Sequence, residues 1–172
     1  IKNILNNINF DKVVKLPKNN DEIILKIHHI LKNLPCLNIL YNKKLLEETI
    51  EISKQFAKNK SSFLIFGTGG SNLGSKALIN ILQSSETIDM HFFDNIDPIQ
   101  FKNVIEKIDL LNAGIIIISK SGSTPETLSQ FASIIEIFEQ KNCSEILYER
   151  CLVITENKRS PLSDIANKNN CK

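Results

Sequence analysis

Between Ile115 and Gln130 the sequence reads IIIISKSGSTPETLSQ, which sets Ser119, Lys120, Ser121, Gly122, Ser123 and Thr124 between an apolar run and a helical pattern. Four hydroxyls, one ammonium and one glycine in six residues suit the binding of an anion. Hydroxyls and backbone amides donate hydrogen bonds, the lysine brings positive charge, and glycine lets the backbone approach closely. Serine and threonine are poor bases without a partner, and no histidine stands in the segment, so proton transfer is not its chemistry. Lys120 reads either as a solvated charge or as a group that raises the local potential for a dianion or donates its backbone N–H to it.

A second stretch, GTGGSNLGSK from Gly67 to Lys76, has the same character. Two phosphate motifs nearly fit it. A P-loop needs G-x-x-x-x-G-K-[ST], but Gly69 through Gly74 is followed by Ser75-Lys76, so the lysine is turned by roughly 100° around the helix. A dinucleotide fingerprint starts at Gly67 and Gly69, yet its third glycine is Asn72, although Asp94 occupies a plausible ribose-binding place. What remains is a glycine-rich exit onto a helix start, whose unpaired amides and positive dipole end favour an anion. Gly70 and Ser71 are its candidate ligands.

Both stretches follow strand-like runs. Apolar segments at Ser62–Phe66, Ile88–Asp94, Gly114–Ser119 and Cys151–Thr155 alternate with helical patterns, and their continuous hydrophobicity suits strands buried on both faces. The expected fold is α/β: a doubly wound parallel sheet of flavodoxin-like order 2-1-3-4, with right-handed crossovers. Asp97-Pro98, Thr124-Pro125 and Ser160-Pro161 each place a capping residue before a proline at the first helical position. In this order strands 1 and 3 are neighbours whose connections leave to opposite sides, so the two hydroxyl-rich loops share one crevice at the switch point. There Gly70, Ser71, Ser119, Ser121 and Thr124 can cradle a single anion. The loops DNIDP and TENKRSP lack such a hydroxyl run, which makes the enrichment selective.

Ahead of the sheet, Ile23, Ile24, Ile27, Ile30, Leu31 and Leu34 form one amphipathic helical pattern, and Leu46, Thr49, Ile50, Ser53, Phe56 and Ala57 form another, separated by Pro35. Residues 1–60 are expected to be a helical arm packing on the domain of residues 61–172. His28 shares the first stripe and reads as a core-edge residue. The chain starts without Met or a signal-peptide core, and its last helical pattern has no strand after it, so a truncated piece with a missing fifth strand is expected. The edge of the fourth strand would then be bare, near Leu152 and Ile154.

Composition narrows the classes. A net charge of +2 over 172 residues gives no nucleic-acid footprint. No apolar run approaches the roughly 20 residues that span a bilayer. Cys36, Cys143, Cys151 and Cys171 lack C-x-x-C spacing, as expected for reduced thiols in a cytoplasm, and His28, His29 and His91 form no metal cluster with them. No metal and no cofactor is expected.

The segments FGTGGSNLGSKAL, FFDNIDP, IIISKSGSTPETL and VITENKRSPLSDIA resemble, in order and spacing, the N-terminal half of the glucose-6-phosphate isomerase family, over roughly residues 60–169. The resemblance implies a sugar-isomerase (SIS) fold, a five-stranded parallel sheet flanked by helices. It implies aldose–ketose isomerisation between glucose 6-phosphate and fructose 6-phosphate in glycolysis and gluconeogenesis, by a cytoplasmic enzyme that is a homodimer when intact. The positions matching Gly70, Ser71, Ser119, Lys120, Ser121 and Thr124 surround the hexose phosphate in that family, and Thr68 stands where many members carry isoleucine. The family's catalytic glutamate, histidine, lysine and arginine lie C-terminal to its counterpart of Ala166, so no catalytic residue is expected here. Glu126 reads as a helix-start residue favoured by the dipole. Other readings are a different SIS-fold sugar-phosphate isomerase or aminosugar enzyme, a non-catalytic sugar-phosphate sensor, and a nucleotide-binding protein.

Overall fold

The computed structural model describes residues 20–34, 38–82 and 88–172. The chain divides into two compact units, Ile1–Glu51 and Ile52–Lys172. The first contains α1 (Asn20–Asn33) and the start of α2 (Lys43–Ala57). Ile24, Ile27, Ile30 and Leu31 on α1 are about half exposed. His28 is exposed as well, which corrects its reading as a core-edge residue. Pro35 and Cys36 lie outside the described residues.

The second unit holds the sheet. Its strands are β1 (Ser62–Phe66), β2 (Asp89–Phe93), β3 (Ala113–Ile118) and β4 (Cys151–Ile154). All three pairings are parallel, in the order β2-β1-β3-β4. The doubly wound α/β fold expected from the alternating patterns is therefore the fold observed. Between strands run α3 (Leu73–Leu82), α4 (Pro98–Ile105), α5 (Pro125–Gln140) and α6 (Ser144–Glu149), and α7 (Pro161–Lys168) follows β4. Among the described residues no helix is long and apolar enough to cross a membrane.

Every residue of β1 is buried because both sheet faces are covered. On one face Leu64, Phe66, Phe93, Ile115, Ile117 and Cys151 meet Phe131, Ile134 and Phe138 of α5, Leu147 of α6 and Leu162 of α7. Burying each of these large side chains stabilises the fold by roughly 1.5–3 kcal/mol. Phe66 and Phe93 stack with centroids 4.7 Å apart, fixing the C-terminal ends of β1 and β2. On the opposite face Phe63, Ile65 and Phe92 pack with Phe56 from the last turn of α2.

Helices α4, α5 and α7 each begin at the proline expected. Two of them are capped as anticipated. The Asp97 carboxylate accepts from Ile99 N and Gln100 N, and Ser160 forms a reciprocal capping box with Ser163. Asp97→Ala should therefore lower unfolding stability by about 1 kcal/mol, read from a denaturant midpoint, and an unchanged midpoint would contradict the cap's role.

The edge of β4 is not bare along its length, contrary to expectation. Val153 N donates to Lys172 O at 2.7 Å, and Lys172 N donates to Cys151 O at 3.2 Å.

Candidate functional site

The loops that leave β1 and β3 meet at the carboxyl ends of the strands. A Cβ added at Gly67 would sit 3.1 Å from Ile118 O and 3.2 Å from Ser71 Cβ, so the two strand exits touch and only a glycine fits without displacement. After Gly67 the chain makes one turn of 3-10 helix, Gly69–Ser71, before entering α3.

The β3 loop is pinned more heavily. Ser119 N donates to Ile154 O, Glu156 N to Lys120 O, and Leu162 N to Gly122 O. Gly122 turns the chain with φ +66°, and a Cβ there would meet Ser160 Oγ at 2.0 Å and Thr155 Oγ1 at 3.0 Å. A tight left-handed turn against the start of α7 therefore demands glycine. Beneath it Ser119 is buried. The Ser119 hydroxyl accepts from Gly122 N at 3.1 Å and lies 2.9 Å from Thr124 Oγ1.

That last contact corrects one expectation. The Thr124 side chain makes no capping hydrogen bond to α5. With φ −64° and ψ 116° the residue is extended, and its hydroxyl is engaged by Ser119. The first turn of α5 consequently keeps its positive end without a side-chain acceptor from the cap, which favours an external anion. Thr124→Ala should then cost only the roughly 0.5–1.5 kcal/mol of one hydrogen bond in stability and spare the helix start. Hydrogen exchange in α5 checks this; loss of protection from Leu128 onward, the first amide bonded within the helix, would show a capping role after all.

Around these loops lies a cavity of about 340 Å³ lined by Thr68, Ser71, Lys120, Ser121, Thr124, Glu156 and Lys158. Of the six residues singled out in the sequence, the structure brings Ser71, Lys120, Ser121 and Thr124 together on its wall. Gly70 is exposed in the 3-10 turn, and Ser119 supports from below; neither lines the cavity. Ser121 Oγ accepts from Ser123 N at 3.2 Å, which orients its hydroxyl at the rim.

Sequence reasoning missed three lining residues. Thr68 stands out in the sequence only against the isoleucine that many family members carry. Glu156 and Lys158 come from the β4 loop, which its lack of hydroxyls had set aside, so the selectivity drawn between the loops is corrected. The signal was topological: β4 adjoins β3, and its loop must open onto the same crevice. Glu156 is clasped by the Lys158 ammonium and lies 3.7 Å from Lys120 Nζ. Its hydrogen bond to Lys158 and the charges of Lys158 and Lys120 hold its carboxyl below the usual range, against a smaller opposing effect of desolvation. Glu126 sits exposed in the first turn of α5 and is not part of the wall.

The residues of the two nucleotide motifs are engaged elsewhere. Asp94 is paired with Lys76 at 2.9 Å, and Asn72 is wholly buried. Among the described residues no group of His, Cys, Asp and Glu is arranged to hold a metal ion.

Comparison with known proteins agrees with this architecture. The family model described as phosphoglucose isomerase matches residues 41–164. A probable glucose-6-phosphate isomerase of Methanococcus maripaludis is 36% identical over 124 residues, covering 69% of this chain and 28% of the relative. The glucose-6-phosphate isomerase of Staphylococcus saprophyticus is 29% identical over 136 residues, covering 76% of this chain and 31% of the relative. A crystal structure of a glucose-6-phosphate isomerase from Chlamydia trachomatis superposes with a TM-score of 0.61 at 28% identity, over 70% of this chain and 24% of that one. The chain thus spans under a third of the length of these relatives. With the family model matched over most of its residues, this chain belongs to the phosphoglucose isomerase family.

Proposed function

We propose that the cavity binds the phosphate of a hexose 6-phosphate, and that the chain supplies this phosphate-binding part of a glucose-6-phosphate isomerase. The reaction would be the reversible aldose–ketose isomerisation of glucose 6-phosphate and fructose 6-phosphate. The observation that carries the reading is the convergence of Ser71, Lys120, Ser121 and Thr124 on one cavity beside the start of α5. Hydroxyl donors, an ammonium and a helix N-terminus are the groups a phosphate dianion needs, and hydrogen bonds to a charged group are worth roughly 1.5–3 kcal/mol each. Ser121→Ala should accordingly weaken binding by about tenfold or more.

Glu156 modulates this site. Its carboxylate occupies the two lysines in the cavity and repels an incoming dianion. Glu156→Gln should tighten inorganic phosphate binding about two- to fivefold at low salt, the range open to exposed ion pairs. The gain should shrink as salt screens the charges. Titrating fructose 6-phosphate calorimetrically, with and without inorganic phosphate, tests the shared site. Competition is expected; independent binding of the two would refute it, and an unchanged affinity in Glu156→Gln would remove Glu156 from the account.

A further inference from the structure

At the opposite end of β4 from the cavity lies a pair of thiols. Cys151 opens the strand and is completely buried in the core that α5 covers. Cys171 is half-buried and packs against the same core. Both are free thiols.

Backbone register fixes how they face each other. The two bonds made by Lys172, its N–H to Cys151 O and its carbonyl from Val153 N, are the slanted pattern of a parallel ladder with Lys172 opposite Leu152. One residue earlier, Cys171 stands opposite Cys151. Neighbouring strands lie about 4.8 Å apart, within the roughly 4.4–6.8 Å between Cα atoms that a disulfide accepts. Directly opposed residues project to the same face of a sheet, and both of these side chains pack in the same core.

We propose that Cys151 and Cys171 form a cross-strand dithiol that closes to a disulfide by exchange with a small disulfide such as oxidised glutathione. Their surroundings give the two sulfurs unequal roles, since Cys151 is fully buried and Cys171 is not. Its interaction with Cys171, together with burial, pushes the Cys151 thiol up. The interaction with Cys151 pulls the Cys171 thiol down, against the smaller effect of its own burial. Cys171 is thus both the more accessible sulfur and the better thiolate. Its thiolate attacks one sulfur of oxidised glutathione, breaking that S–S bond, forming a mixed disulfide and expelling a first glutathione thiolate. Cys151 then gives up its proton to the expelled thiolate and attacks Sγ of Cys171, expelling a second glutathione. The protein loses two hydrogens and oxidised glutathione becomes two molecules of the reduced form. The product closes Cys151–Cys171, with Glu156 and Lys158 inside the ring, and ties the segment after α7 to β4.

The test treats the folded 172-residue chain with oxidised glutathione and maps the products by mass spectrometry. A Cys151–Cys171 peptide pair should dominate, and it should form about tenfold or more faster than in the same chain under denaturant, because the fold has already brought the sulfurs together. Dithiothreitol should reverse it. Cys143→Ser should change nothing, whereas Cys151→Ala should halt at a glutathione adduct on Cys171 and Cys171→Ser should give neither product. Predominant pairing with Cys36 or Cys143, equal rates in native and denatured chains, or an adduct that never resolves in the unsubstituted chain would each overturn the proposal.

Discussion

Replacing Gly122 by alanine should destabilise the sheet unit by about 2–5 kcal/mol and remove phosphate binding. Two penalties coincide at this position. The backbone is left-handed at φ +66°, and the new Cβ would fall 2.0 Å from Ser160 Oγ and 2.7 Å from Ser160 Cβ. Ser160 has little freedom to retreat, since its hydroxyl accepts from Ser163 N and its own N–H donates to Ser163 Oγ. Relief by backbone movement would pull Lys120, Ser121 and Thr124 from their places on the cavity wall. Denaturant unfolding and phosphate titration of Gly122→Ala read both effects. Ser160→Ala in the same chain should recover part of the stability, a non-additive result expected of residues in contact. Native-like stability in the single variant would mean that the loop does not hold this turn.

The second large effect concerns turnover. These 172 residues should show no measurable isomerase activity in a coupled assay beside a chain extended to the length of the relatives. Moving a proton between adjacent sugar carbons requires a base within roughly 2.6–3.2 Å of the reacting position. The cavity holds one carboxylate, Glu156, and its neighbouring ammoniums depress its basicity. It also sits where the phosphate would be anchored, at the far end of a six-carbon sugar from the reacting carbons. Comparable activity in the two chains would place the catalytic base within these residues and overturn the account of catalysis, while leaving the phosphate cavity intact.

How far the sequence anticipates this molecule depends on how local each signal is. The strands were legible because continuous apolar runs such as FLIF and IIII record burial on both faces. Their order is the flavodoxin-like 2-1-3-4 arrangement expected of a doubly wound sheet. Prolines at 98, 125 and 161 marked helix starts, since each supplies φ and removes an amide without a partner. The site was half legible. Ser71, Lys120, Ser121 and Thr124 announce themselves by type, but the direction of a hydroxyl does not. Thr124 sits at a cap position, yet a buried Ser119 competes for its hydroxyl, a contact no local rule contains. Glu156 and Lys158 read as a solvated charged loop, and only the β3–β4 pairing carries them to the cavity. The exposed stripe of α1 shows the converse, because periodicity records a capacity to pack and not a partner.

The most direct measurement of the central claim is an amide NMR titration of the chain with inorganic phosphate. Helix N-termini and hydroxyl-lined loops bind anions largely through backbone N–H groups, whose resonances report the contact. The account predicts saturable shifts centred on Ser71, Ser121, Gly122 and Thr124 and on Glu126 and Thr127 at the start of α5. Those shifts should be lost in Ser121→Ala and displaced by fructose 6-phosphate. Saturable shifts confined to another part of the sheet unit, such as Asn95–Asp97 before α4, or no shifts at all, would contradict it.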